Sequence, residues 1–228
     1  MNERTHAGTQ TLARGLNVLR AVAAARTGMT VQEVSESAGI HRTIASRILQ
    51  TLSDYRLVAR GSDGRYRGAS GLVGLASGAY AALRQVSLPV IRQVADELES
   101  TMSLLVVEHD EAVALAVVTS AKARYRLVFA EGSRHPLDRG AAGVALSALA
   151  PAAPGEREVV TRAREQGWVQ TFAEVEPGAY GVAVPLHGVD SHLRACLNLI
   201  TYREDVAESA VPAMLRAAER IAQLTALE

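Results

Sequence analysis

Between residues 10 and 27 the apolar positions return at helical steps. Leu12, Leu16, Leu19 and Ala23 are spaced four, three and four apart, which places them on one face of a helix that should end near Gly28. Thr30 and Glu33 then form a T-x-x-E capping box opening a short second helix, with Val31, Val34 and Ala38 inward and Gly39 as its stop. A third helix follows from about His41 to Tyr55. At about 100° per residue, Ile44, Ala45, Ile48, Leu49, Leu52 and Tyr55 cover one side of it. Arg42, Thr43, Ser46, Arg47, Gln50, Ser53 and Asp54 fill the opposite arc. Next, Leu57 to Arg60 and Arg65 to Arg67 read as two short strands around a Ser-Asp-Gly turn.

From Gly71 to Ser100 the helical pattern is broken. Leu72, Leu75, Ala79 and Leu83 form a stripe interrupted by Gly74 and Gly78, and a new helix is expected to start around Ser87-Leu88-Pro89 with Val90, Ile91, Val94, Ala95 and Leu98 inward. Beyond Ser100 the alternation becomes that of strands: 104–108, 113–118, 124–129, 182–186 and 195–201. Helices are expected near 141–149, 156–165 and 206–224. Hairpin strands with helices to the side predict an antiparallel α+β domain. The domains are therefore 1–70, a linker helix over 71–86, and 87–228.

Two short helices joined through a glycine turn, the second presenting Arg, Thr, Ser and Gln, make a helix-turn-helix, whose second helix enters the major groove of double-stranded DNA. Arg42, Thr43, Ser46, Arg47 and Gln50 are the candidate base- and phosphate-contacting residues: forked guanidinium donors grip guanine or phosphate, and small hydroxyls allow close approach. The hairpin is then a wing, with Arg60, Arg65 and Arg67 placed to touch the sugar-phosphate backbone.

Charge supports this assignment although the net charge of the 228 residues is zero. Residues 1–70 carry ten arginines and five acids, leaving 14 bases and 19 acids elsewhere. One end is basic and the other acidic, as expected when only one domain meets nucleic acid. No apolar run approaches the roughly 20 residues that span a bilayer, and the polar start M-N-E-R-T-H-A-G-T-Q lacks a signal-peptide core. The sequence thus predicts a cytoplasmic protein without membrane contact. The single cysteine, Cys196, excludes an internal disulfide and a Cys-cluster metal site. Histidines 109, 135, 187 and 192 lack metal-ligand spacing. No G-x-S-x-G, P-loop or G-x-G-x-x-G after a strand is present. No catalytic residue, metal or cofactor is assigned.

The segments R-T-I-A-S-R-I-L-Q-T-L (42–52) and R-Y-R-G (65–68) resemble the IclR family of bacterial transcriptional regulators. The likeness continues through 87–101, R-H-P-L-D-R-G-A-A-G-V-A-L-S-A-L (134–149), R-E-Q-G-W (164–168), A-Y-G-V-A-V-P-L (179–186) and A-C-L-N-L-I (195–200). The resemblance implies an α+β chain with an N-terminal winged helix-turn-helix, a linker helix and a GAF-like antiparallel-sheet domain that binds a small organic effector. It implies repressors or activators acting as homodimers or homotetramers. Within the second domain it points to Ala141, Ala142 and Gly143 as a helix start able to hold a carboxylate, and to Thr171, Gly181, Asn198 and Ile200 around the rest of an aromatic or branched acid. The chain departs from the family pattern at Ile44 and Ser46, where an aromatic or His is common two residues after Thr, and at Val144, where A-x-G-K-A has Lys. An enzyme with a vestigial DNA-binding domain, and a regulator responding only through protein contacts, stay open as alternatives.

Overall fold

The structure, a computed structural model, describes residues 9–123, 129–189 and 192–226. The chain divides into two compact units, Met1–Ala79 and Tyr80–Glu228. The first holds α1 (Gln10–Ala24), α2 (Val31–Ala38), α3 (Arg42–Asp54), the antiparallel hairpin of β1 (Val58–Arg60) and β2 (Tyr66–Gly68), and α4 (Ser70–Ser77). The capping box at α2 forms in full: Thr30 Oγ1 accepts from the Glu33 amide and the Glu33 carboxylate accepts from the Thr30 amide. Gly39 ends α2 in the left-handed region at φ 60°, where a side chain would be strained.

The core of this unit is small and differs from the expected one. Val18, Val22, Val34, Ala45, Leu49, Val58 and Tyr66 are buried in it. On α1 the buried stripe is Val18 and Val22 with Leu19 alongside; Leu12 and Leu16 are 63% and 51% exposed. The two stripes lie about a third of a turn apart on the helix. Periodicity finds both, but only packing against α2 and α3 decides which is covered. On α3 the middle of the helix is buried as expected, whereas Ile44 and Tyr55, at its two ends, are exposed, because so small a core reaches only the central turns.

The helix expected to begin at Ser87 begins earlier. The break falls at Gly78–Tyr80, with Tyr80 at φ 51°, and α5 runs unbroken from Ala81 to Glu97 through Pro89. Pro89 is exposed and the carbonyl it leaves unbonded belongs to the equally exposed Gln85, so water can replace the lost hydrogen bond. Leu83 is thus buried in the core of the second unit and does not continue the α4 stripe.

After α5 come β3 (Thr101–Glu108), β4 (Glu111–Thr119), β5 (Arg134–Pro136), α6 (Gly140–Ala148), α7 (Glu158–Gln166), β6 (Val169–Phe172), β7 (Tyr180–Leu186), β8 (Ala195–Thr201) and α8 (Glu204–Thr225). Among the described residues six strands form one antiparallel sheet, in the order β5-β4-β3-β8-β7-β6. The short edge strands β5 and β6 carry too little alternation to be expected from sequence. The strand expected over 124–129 lies, for residues 124–128, outside the described residues; Phe129 belongs to no strand.

Period-two alternation divides the side chains of the sheet between two cores. Leu197 and Leu199 on β8, with Val182 and Val184 on β7, face α5 and α8. Cys196 and Ala183 face α6 and α7. Each fully buried Leu contributes roughly 1.5–3 kcal/mol relative to exposure. Eight of the nine residues of α6 are buried, and a Cβ at Gly143 would meet the Leu137 carbonyl oxygen at 2.7 Å. Gly143 thus lets the helix close onto the Leu137 backbone, and Ala141, its Cβ 3.3 Å from where a Cβ on Gly181 would stand, lies directly on the sheet. That puts its N-terminus over the row formed by Thr171, Gly181 and Ile200, which are in register across β6, β7 and β8.

Candidate functional site

The arc expected to meet DNA is intact on α3. Arg42, Thr43, Ser46, Arg47 and Gln50 are all exposed, opposite buried Ala45 and Leu49. His41 caps the helix, its Nδ1 accepting from the Thr43 amide at 3.3 Å. Gln50 Nε2 donates to Asp54 Oδ1 at 2.8 Å. Among the described residues Arg42 and Arg47 take part in no ion pair, so both guanidinium groups are available to an anionic partner.

The three wing arginines are not equivalent. Arg65 turns toward the protein: its Nη1 and Nη2 donate to the two oxygens of Glu33 at 2.9 and 3.0 Å, and Nη1 also to the Gly28 carbonyl at 2.9 Å. It ties the wing to the start of α2. The Thr30 amide, and after it the Arg65 side chain, hold the Glu33 carboxyl below its ordinary range. Arg67 forms a two-bond pair with Asp63, at 3.1 and 2.6 Å, which pushes the Asp63 carboxyl well down. Both partners of that pair are exposed enough to open. Arg60 lies with Cζ 5.8 Å from the centre of the Tyr66 ring, and its Nε donates over a long 3.5 Å to the Gly64 carbonyl.

In the second unit a cavity of about 150 Å³ opens at the N-terminus of α6. Of the seven residues singled out for the second unit, Ala141, Ala142, Thr171, Gly181, Asn198 and Ile200 line it together; Gly143 does not, being packed on Leu137. Asn198 is 5% exposed, and its Nδ2 reaches Ser103 Oγ only at 3.5 Å. Gly181 leaves less room than expected, since a Cβ there would stand 3.2 Å from Thr171 Oγ1 and 3.3 Å from the Ala141 Cβ.

The rest of the wall comes from residues that carry no local signal in the sequence. Phe129 and His135 reach the cavity from before and within β5, Gly140 from α6, Glu174, Val175, Glu176 and Ala179 from the β6–β7 connection, and Tyr180 from the start of β7. Glu174 Oε2 accepts from the Gly140 amide at 2.6 Å. Glu176 Oε1 accepts from the Tyr202 hydroxyl at 3.3 Å. The start of α6 is thus met by a carboxylate of the chain itself.

Cys196 is fully buried and burial pushes its thiol well up, away from the reactive thiolate. Among the described residues no group of three or more His, Cys, Asp or Glu side chains is placed to hold a metal ion, and no helix is long and apolar enough to cross a membrane.

Residues 11–62 match the family model of the IclR helix-turn-helix domain, and residues 79–159 that of the bacterial transcriptional regulator IclR C-terminal domain. The chain belongs to the IclR family of DNA-binding transcriptional regulators. It is similar to the HTH-type transcriptional regulator Rv1719 of Mycobacterium tuberculosis, 33% identical over 145 residues that cover 63% of this chain and 56% of that protein. The HTH-type transcriptional regulator TtgV of Pseudomonas putida is 28% identical over 203 residues, 85% of this chain and 76% of that protein. Among solved structures, an IclR homolog from Microbacterium hydrocarbonoxydans complexed with 4-hydroxybenzoate has the same fold, with a TM-score of 0.82 at 24% identity over 96% of this chain and all of that one. The IclR of Thermotoga maritima superposes with a TM-score of 0.75 at 18% identity, covering 93% and 97% of the two chains.

Proposed function

We propose that this protein controls transcription by binding operator DNA through α3 and the wing, and that a small organic acid held in the cavity of the second unit sets its operator affinity. The observation that carries the reading is the cavity itself, bounded by the N-terminus of a buried helix and by the buried carboxamide of Asn198. Free amides and the positive end of a helix favour a carboxylate. A volume near 150 Å³ is that of a cavity that takes one benzene ring. An aromatic acid meets both requirements, and the similar Microbacterium protein is the one complexed with 4-hydroxybenzoate.

On DNA, Arg42, Thr43, Ser46, Arg47 and Gln50 read bases and phosphates, Arg60 meets the backbone, and Arg67 joins it once released from Asp63. The chain acts as a homo-oligomer, a dimer or higher. Leu12 and Leu16 on α1 and Val73 and Leu75 on α4 leave large apolar side chains exposed, which a second copy would cover. Two recognition helices related by a two-fold axis call for a near-palindromic operator with half-sites about 10 base pairs, or a multiple of that, apart. The protein works in the compartment that holds the chromosome. It does so as a regulator and not as an enzyme.

Ligand and DNA then act on one another reciprocally: an acid that favours one arrangement of the chain must change operator affinity by the same factor as DNA changes acid affinity. Genome-wide mapping of bound DNA, followed by footprinting and titration of the mapped site with a panel of aromatic and branched acids, tests the reading. Expected are a palindromic footprint and an acid that shifts the DNA binding curve. Specific binding that no acid alters rules out the proposed control, and absence of specific binding rules out the regulator itself.

A further inference from the structure

Glu174 stands where the effector's carboxylate is placed by the reading above. Its Oε2 is 2.6 Å from the Gly140 amide, the first of α6, and the residue before the helix, Arg139, supplies no side-chain cap. Gly140 has φ 75°, a conformation that suits glycine. Among the described residues Glu174 makes no ion pair, so the amide and the helix end are what hold its charge. The segment that carries it, 173–178, is exposed throughout and closed at its base by the bond from the Ala173 amide to the Ala179 carbonyl, 2.8 Å. Val175 from the same segment leans over Gly140: a Cβ built there would be 2.6 Å from its Cγ2.

We propose that Glu174 is a built-in competitor for the anion position of the cavity, so that an acid effector binds by exchanging its carboxylate for that of Glu174; this rests on the cavity being an acid site. Two carboxylates cannot share one amide and one helix end, because they repel and each needs the same donors. An entering acid must therefore send Glu174 outward into water, which the exposed segment permits. Affinity for acids is lowered by the fraction of the time Glu174 occupies the site. A neutral amide of the same shape offers the position one carbonyl oxygen and no charge, so it gains less from the helix end than a carboxylate does, and its NH2 group can donate to the Glu174 carboxylate instead of being repelled by it. Glu174 is then a specificity-determining residue: it sets a threshold that weakly binding acids fail to pass.

Calorimetric titration of the full chain with 4-hydroxybenzoate and with its neutral amide, 4-hydroxybenzamide, on wild type, Glu174→Ala and Glu174→Gln tests this. Glu174→Ala should bind the acid about tenfold more tightly than wild type, with Glu174→Gln, which keeps an oxygen for the Gly140 amide but no charge, in between. The neutral amide should change less than about twofold, since it carries no charge to be repelled by Glu174 or favoured by the helix end. If wild type binds the acid and Glu174→Ala binds it equally or less tightly, Glu174 is a fixed helix cap and the proposal is overturned while the acid pocket stands. An equal gain for acid and amide shows that space alone was released, which also overturns it. Acid binding by none of the three proteins defeats the acid pocket and the proposal together. Should Glu174→Ala fold poorly, the isosteric Glu174→Gln decides by the same comparison.

Discussion

The surface of α3 and the cavity of the second unit are built by opposite means. The recognition surface is one arc of one helix: five exposed polar side chains within nine residues, positioned only by the apolar stripe behind them. The cavity is contributed by β5, the start of α6, β6, the β6–β7 connection, β7 and β8. The first kind of site depends on a small core and on local periodicity, the second on the register of a whole sheet. A change on the exposed arc of α3 should therefore act on DNA alone, whereas the cavity can be altered from any of several segments.

The largest expected effect comes from removing the support of α3. Leu49 is fully buried in the small core of the first unit, and Leu49→Ala should cost about 2–5 kcal/mol of that unit's stability. Scanning calorimetry should show an early transition lost or lowered, with operator binding gone and acid binding in the second unit kept. Equal losses of both activities would show that the two units are not separately built.

Changes on the two sites themselves come next. Arg47→Ala should weaken operator binding by about 1–3 kcal/mol and relax specificity at one base pair, if the forked donors pair with a base edge. Arg60→Ala should instead weaken all DNA sequences alike and reduce the salt slope by about one. Electrophoretic mobility shifts over a range of salt separate the two; a uniform loss in Arg47→Ala moves it to the phosphate-contacting class. In the cavity, Asn198→Ala leaves a buried polar group of the ligand unpaired at a cost of about 1–3 kcal/mol. Calorimetry with the preferred acid measures it, and unchanged affinity removes Asn198 from the site.

The smallest effect concerns the pairing that holds the wing. The carboxyl of Glu33 is held below its ordinary value, first by the Thr30 amide and then by Arg65. A carboxyl with a lowered folded value contributes stability that is full above its ordinary value of 4.5 and is lost as the pH falls below it. Arg65→Gln should flatten this acid dependence in the first unit's melting curve between pH 6 and 3 without changing the Arg47-dependent specificity. A selective loss of operator sequence preference in that variant would assign Arg65 to DNA after all.

Much of the first unit was legible because its determinants are local. A Thr and a Glu three residues apart cap α2, Gly39 ends it, and a two-sided pattern presents Arg42 to Gln50 outward, all within a span that no distant contact has to complete. What local pattern could not decide was competition between equivalent partners. Leu12 and Leu16 form as regular a stripe as Val18 and Val22, and Arg65 looks as available as Arg60 until Glu33 is found beside it.

In the second unit the sequence by itself determined the α+β texture and the strands expected over 104–108, 113–118, 182–186 and 195–201, and six of the seven residues that the family resemblance pointed to lie on the wall of one cavity. It did not determine which segments close the cavity. Glu174 and Gly140 are 34 residues apart and meet only because β6 is the edge strand beside β7 and α6 lies across both. The same is true of His135, brought in by the pairing of β5 with β4. Sheet register is a long-range outcome of which apolar faces find cover, so the acid at the helix end, and with it the competition we infer for the ligand site, belongs to the tertiary structure alone.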